Sequence, residues 1–413
     1  MGVERTGLAA LRRGPPGQPG DGAGRHQADL TAAVRLGRMA GRKRRVLITG
    51  VSRWWGALLA QRLIQDEGIA EVIGVDTEDP HYDLGDADFL KVDVRHSLIG
   101  KLVRSVGIDT VVHTDTTIDS FSDDARTAHE TNVVGTLNLL AGCAGDDSPV
   151  RRLVLKSSAH VYGSRHDLPM HVREDYRLAS SSPHPFVRDI VEVESNFFDF
   201  AIRNPKAETV VLRFANSLNA DEPAPLARYF DLPVVPTVLG FDPVLQLVHR
   251  DDCIEALRKA THGGGSGAYN IAGEHPLPLS VLLSEVGKVP APVLPPAGLG
   301  LVSAALKAMN VAFLSPQLID LLRWGRTVST AKAAAELDFR AARDTLTALD
   351  DYIQQRRVLD FLPSHRAYQY DRELEEYIHA RRTRQAQEEA ASKVVAPAGG
   401  AAGSSGSPPR RRR

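Results

Sequence analysis

Arg45-Val46-Leu47-Ile48-Thr49-Gly50-Val51-Ser52-Arg53-Trp54-Trp55-Gly56 is the stretch that decides the architecture of this chain. An apolar run meets a glycine turn, and from Ala57 to Gln65 the residues Leu58, Leu59, Leu63 and Ile64 recur along one helical face. The pattern reads as strand, turn, helix. Further strands are expected near Val72–Asp76, Phe89–Val94, Thr110–Thr114, Leu153–Ser157 and Val210–Phe214, with helical stretches such as Ser97–Ser105 and Ala125–Cys143 between them. Short buried strands alternating with helices imply an α/β fold with a Rossmann-type doubly wound parallel sheet. Right-handed crossovers then align the strand carboxyl ends along one edge, where a ligand crevice belongs.

Beyond Asn216 the alternation breaks into proline-rich connections at Pro223, Pro225, Pro233, Pro236, Pro290, Pro292, Pro295 and Pro296. A smaller, irregular C-terminal substrate lobe is expected there. The organisation read from the chain is a flexible leader at 1–44, a body at 45–382 and a disordered tail at 383–413 that ends in four arginines. Within the body, the first lobe is mainly 45–216 and 239–262, and the second mainly 217–238 and 263–345. A polar helix is expected near Asp371–Glu389, and the apolar run Gly298–Leu314, interrupted by Lys307, is too short for a membrane span and reads as a core or lid helix.

Composition excludes several classes. The 413 residues are 43% hydrophobic and 24% charged with net charge −1, so the body has no electrostatic reason to seek nucleic acid or membrane. The leader lacks the continuous apolar core of a signal peptide. Two isolated cysteines, Cys143 and Cys253, make neither a disulfide framework nor a zinc site, and a reducing cytoplasm is the expected compartment. No metal ligands are expected.

The Thr49–Gly56 turn places helix amides and the helix dipole where they would meet a pyrophosphate. Asp76 closes the second strand, where a carboxylate can accept hydrogen bonds from an adenosine ribose. Its negative charge repels a 2′-phosphate, which favours NAD over NADP.

Other segments carry a family likeness. Lys156-Ser157-Ser158-Ala159-His160-Val161-Tyr162-Gly163, Asn132 in Thr131-Asn132-Val133-Val134-Gly135-Thr136, Arg213-Phe214-Ala215-Asn216, Val248-His249-Arg250-Asp251-Asp252 and Tyr269-Asn270-Ile271 follow one another in a recognisable order. From Arg45 to about Arg382 the chain resembles the extended short-chain dehydrogenases, particularly the UDP-glucose 4-epimerase-like branch of the NAD-dependent epimerase/dehydratase family. The resemblance implies NAD as cofactor, a nucleotide-sugar-like ligand, and a homodimer through the helices bearing Phe186 and Asn132. An apolar excess over Ile190–Phe200 agrees with such a dimer. The positions it implies around the cofactor are Gly50, Arg53, Trp54, Trp55, Gly56, Asp76, Asp93, Val94, Asp115 and Asn132.

The chain departs from the family at three places. Arg53 and Trp54 stand where a middle glycine is expected, and Arg53 either contacts phosphate or fills the space. Asp115 stands where the fourth strand usually ends in small apolar residues, and an Arg53–Asp115 pair across the crevice is expected. In Ser182-Pro183-His184-Pro185-Phe186-Val187-Arg188-Asp189-Ile190, Phe186 and Ile190 fall on the Tyr and Lys of the family's Pro-Tyr-x-x-x-Lys segment.

The family mechanism uses that tyrosine as a phenolate, its pKa lowered from about 10 by the lysine, to remove a proton as hydride leaves the sugar. Phe186 has no oxygen and Ile190 no charge. Ser158 keeps the serine position, and His160, two residues on along the strand, is the candidate substitute base. Two functions follow: a binding or regulatory pseudoenzyme that holds NAD and a nucleotide sugar, or an active epimerase or dehydratase using His160.

Overall fold

The computed structural model describes residues 43–116, 125–294, 301–302, 304–305, 314–361 and 381. The expected leader before residue 43, the 371–389 helix apart from residue 381, the tail and most of the 298–314 run lie outside the described residues. The fold below belongs to the unit ending at Gln354; residues from Gln355 form a second unit, of which 355–361 and 381 are described.

Seven strands form one sheet: β1 (Arg44–Thr49), β2 (Ile69–Asp76), β3 (Asp88–Lys91), β4 (Thr110–His113), β5 (Arg152–Ser158), β6 (Glu208–Phe214) and β7 (Gly267–Ile271). Their order is β7-β6-β5-β4-β1-β2-β3, and every pairing is parallel. The sequence expectation of a doubly wound sheet is met. Strand order reverses at the β1/β4 boundary, which opens the crevice outside their carboxyl ends.

Both faces of the sheet are covered, so its strands alternate between two apolar environments rather than between oil and water. Val46, Ile48, Val112, Val154, Val210 and Leu212 share one core with α1 (Trp54–Leu63) and Cys253, Ile254 and Leu257, which lie on the later helix Arg250–His262. Leu47, Val111, Leu153, Leu155 and Val211 share the other with α2 (Leu98–Val106), α3 (residues 125–143) and α4 (Pro185–Arg203). Each such side chain contributes about 1.5–3 kcal/mol on burial.

Differences from the expected elements have local causes. β3 stops at Lys91, and Asp93 turns back to accept the Arg95 backbone N–H at 2.8 Å and its guanidinium at 2.7 Å. That short aspartate turn competes with strand extension. α3 contains a π turn at Glu130–Val134, which carries the buried Asn132. Gly267–Ile271, read from sequence into the second lobe, is the β7 edge of the main sheet.

The proline-rich part forms small sheets. Val234–Val238 pairs with Val289–Val293, and Val244–Leu245 with Leu277–Pro278. Prolines at 236, 290 and 292 suit such two-stranded edges, where one ladder side is unused.

Candidate functional site

The β1–α1 turn is held by two glycines that no other residue could replace without displacement. Gly50 has φ +82°, and a Cβ there would meet the Asp115 backbone N at 2.8 Å; one on Gly56 would lie 2.5 Å from the Gly50 carbonyl oxygen. β1, β4 and α1 therefore approach backbone to backbone, leaving a shallow cradle at the helix N-terminus. Asp76 is buried at the end of β2, its Oδ2 accepting the Ser52 N–H at 2.8 Å and its Oδ1 the Thr77 N–H at 2.7 Å. The carboxylate is fixed before any ligand arrives.

Arg53 does not fill the missing-glycine space. It is exposed in extended conformation at the helix N-cap, where its carbonyl accepts the Ala57 N–H at 3.1 Å, and its side chain makes no hydrogen bond or ion pair to the described residues. The expected Arg53–Asp115 pair is not formed, although the Arg53 charge is felt at Asp115. Burial and the charge of Asp76 push the Asp115 carboxyl up to about 6, against the pull of Arg53 and Lys156. Trp54 turns inward to the core beside Ala57 and Leu59, so only its backbone faces the cradle.

Side chains of the chain itself occupy the crevice. Glu222 Oε1 accepts the Trp54 N–H at 3.0 Å and so takes a helix N-terminal donor, while Tyr82 hydrogen-bonds Glu222 from the β2–β3 connection. Trp55 stacks on Trp54 at 4.1 Å and meets Phe214 edge-on at 4.9 Å. Lys156 Nζ lies 5.1 Å from the Trp55 ring centroid and donates to the carbonyls of Thr114 at 3.3 Å and Thr116 at 2.9 Å. Burial, reinforced by Arg53, pulls its ammonium down to about 7. Asp93 and Val94 lie just beyond β3, the former engaged by Arg95, the latter buried.

On α4, Phe186 is 9% and Ile190 1% exposed, packed in one cluster with Val161, Tyr162 and Val328. Val193 and Phe197 continue the same stripe into the core under the sheet. A buried network fixes the helix. Glu194 accepts a hydrogen bond from Ser157 and pairs with Arg213 at 2.6 Å, and Arg213 donates to the Tyr162 hydroxyl at 2.8 Å. Tyr162, pushed up to about 12 by burial, donates to Asn270 and is no base at neutral pH. Tyr176, which packs against the same cluster, directs its hydroxyl to the Asp167 carbonyl.

Ser158 and His160 meet, by a different route from the expected strand spacing. β5 ends at Ser158, and His160 lies in the 3-10 turn Ala159–Tyr162. Ser158 Oγ accepts the His160 backbone N–H at 3.2 Å and lies 2.8 Å from His160 Nδ1. Burial and the nearby Arg326 charge hold this imidazole well below its ordinary pKa, so it is neutral.

Sequence reasoning missed Lys156, Glu222 and Arg326 as members of this neighbourhood. For Lys156 a signal existed, because it has the strand parity of Val154 and so faces the α1 side. Glu222 and Arg326 arrive from loops with no local pattern.

The sequence profile of the NAD dependent epimerase/dehydratase family matches residues 46–187, a stretch that ends in α4 before Ile190. An uncharacterised protein of Mycobacterium tuberculosis is 33% identical over 331 residues, covering 79% of this chain and 88% of that protein. The UDP-glucose 4-epimerase of Dictyostelium discoideum is 30% identical over 130 residues, 30% of this chain and 36% of that enzyme. In solved structures, the UDP-glucose 4-epimerase of Thermotoga maritima with UDP-glucose superposes with TM-score 0.59 at 17% identity, covering 76% of this chain and 99% of that one. The UDP-glucuronic acid 4-epimerase of Bacillus cereus in complex with NAD gives 0.57 at 18% identity, with the same coverages. The seven-stranded parallel sheet agrees with these likenesses, and the chain belongs to the NAD-dependent epimerase/dehydratase family.

Proposed function

We propose that this protein binds NAD and a nucleotide sugar in the crevice above β1, β4 and β5 and has lost the Tyr/Lys redox chemistry, serving a binding or regulatory role. The observation that carries the reading is the α4 face, where Phe186 and Ile190, at the expected Tyr and Lys positions, are sealed into an apolar cluster. NAD, when bound, supplies a hydride acceptor. The chain would hold it with the Gly50–Gly56 cradle, the Asp76 carboxylate and the free Arg53 guanidinium. It has no phenol at Phe186 to take the accompanying proton. Calorimetry with NAD, nucleotide analysis of the purified protein, and a UDP-glucose to UDP-galactose interconversion assay test this reading together. Binding without turnover is expected; robust turnover by the unmodified chain would overturn it.

One observation favours a second reading, an active epimerase or dehydratase. Ser158 and the neutral His160 form a hydroxyl–imidazole pair at 2.8 Å, able to take a proton. Under that reading His160→Ala abolishes a measurable activity.

We also propose a homodimer through α3 and α4, by family resemblance. The apolar excess of Ile190–Phe200 does not support it, because Ile190, Val193, Phe197 and Phe200 are spent on the chain's own core. The outward face carries Arg188, Glu192, Ser195 and Asp199, with Val134 and Leu137 exposed on α3. Light scattering of the purified chain decides the state. Buried free thiols at Cys143 and Cys253 suit the proposed cytoplasmic setting, and no helix among the described residues is long and apolar enough to cross a membrane.

A further inference from the structure

Buried cations in this body are mostly answered by nearby groups. Arg213 has Glu194, Arg152 has Glu208, and Lys156 has two carbonyls. Arg326 differs. It is 7% exposed, with no carboxylate in ion-pair range among the described residues. Its Nη1 donates to Gly163 O and Ser164 Oγ, both at a long 3.3 Å, and its Nη2 is buried without a partner. Burial pulls the guanidinium down to about 9, so the fold holds this charge against its preference for water.

The position of this cation is enforced by the backbone. Arg326 bridges to Leu245, and the preceding Gly325 has φ +69°, with room for no side chain because a Cβ would lie 2.5 Å from the Val244 carbonyl. The side chain thus reaches the Gly163-Ser164 turn that follows Ser158 and His160. The imidazole beside it lies 2.8 Å through Nδ1 from Ser158 Oγ, which also accepts the His160 backbone N–H; when the hydroxyl donates to Nδ1, the proton of neutral His160 sits on Nε2. His160 Nε2 makes none of the described hydrogen bonds, and neither it nor the Arg326 guanidinium is answered by an anion among the described residues.

We infer that Arg326, joined by His160 in its Nε2-protonated tautomer, forms an oxyanion subsite beside Ser158, which takes an acidic group on the ligand. Resting on the nucleotide-sugar reading above, this makes the sugar an acidic one, carrying a carboxylate. A carboxylate and a free phosphate share the required chemistry, and the test separates them.

The full chain is titrated with UDP-glucose, UDP-glucuronate, glucuronate and inorganic phosphate, by calorimetry and thermal shift, alongside Arg326→Met and Arg326→Lys. UDP-glucuronate is expected to bind at least about 10-fold tighter than UDP-glucose, a margin lost in Arg326→Met and partly kept in Arg326→Lys. Because an unanswered charge is removed, Arg326→Met is expected to melt no lower than the parent. Equal binding of the two nucleotide sugars, or a preference that survives Arg326→Met, sinks the subsite and leaves the nucleotide-sugar reading standing. Binding of glucuronate to the parent but not to Arg326→Met, with neither nucleotide sugar bound, supports the subsite and sinks the nucleotide reading. Phosphate binding alone, or failure of Arg326→Met to fold, overturns the inference.

Discussion

The β1–α1 turn and the N-terminal end of α4's core stripe flank the sheet from its two faces, and they have kept different things. The turn retains backbone geometry: Gly50 at positive φ, Gly56 against the Gly50 carbonyl, and Asp76 locked by Ser52 and Thr77. α4 retains its position and its apolar stripe, with Phe186 and Ile190 where a phenol and an ammonium are expected. The difference has a physical reason. Gly50 and Gly56 are required by the crossing of β1, β4 and α1 whether or not a ligand binds, whereas a buried helix face needs only volume and apolarity. A retained glycine turn therefore speaks for fold, and the side chains of α4 speak for chemistry.

The sharpest way to break this contrast is Ile190→Lys. A lone ammonium at a sealed site leaves an uncompensated buried charge, with an expected loss of about 3–5 kcal/mol in denaturant unfolding. Removing Glu194, as in Glu194→Leu, strands Arg213 in the same way and at similar cost. Little destabilisation in Ile190→Lys, coupled with gained turnover in a Phe186→Tyr/Ile190→Lys double variant, would mean that α4 still walls an open catalytic site.

Gly56→Ala probes the other region. Its methyl group would meet unyielding backbone, and a loss of about 1–3 kcal/mol is expected from thermal unfolding. A neutral result would show that the cradle is no fixed part of the fold.

Glu222→Ala comes next, because it removes an anion from the α1 N-terminus and frees the Trp54 N–H. NAD should bind about 3- to 10-fold tighter by calorimetry; weaker binding would make Glu222 a helper of the cofactor and not its competitor.

The smallest effect expected is in pH. As pH falls from 7.5 to 5.5, Asp115, pushed up to about 6, begins to lose its negative charge, and Lys156, pulled down to about 7, gains its positive one. Both changes favour a pyrophosphate, so NAD affinity should rise toward acid. Asp115→Asn should flatten the part of that slope below about pH 6.5. A slope of opposite sign would remove both groups from the cofactor's surroundings.

Strands and helices of the first lobe were legible because two covered sheet faces give unbroken apolar runs such as Val46–Ile48 and Val210–Leu212, and α1 and α2 announce themselves by period. The Ser158–His160 contact was legible too, but for the wrong reason, since a 3-10 turn and not strand parity joins them. Asp93 was placed on a strand that its own bond to Arg95 ends.

Sequence alone determined the doubly wound sheet, the glycine turn with its terminal aspartate, and the absence of Tyr and Lys at 186 and 190, because these depend on residue type at local spacing. Only the tertiary structure decided that Arg53 forms no ion pair with Asp115, that Glu222 crosses to the α1 N-terminus, and that Arg326 lies buried without an acid among the described residues. Each of those is set by where loops distant in sequence cross the sheet edge, and charge–charge partnership depends on that distance through space.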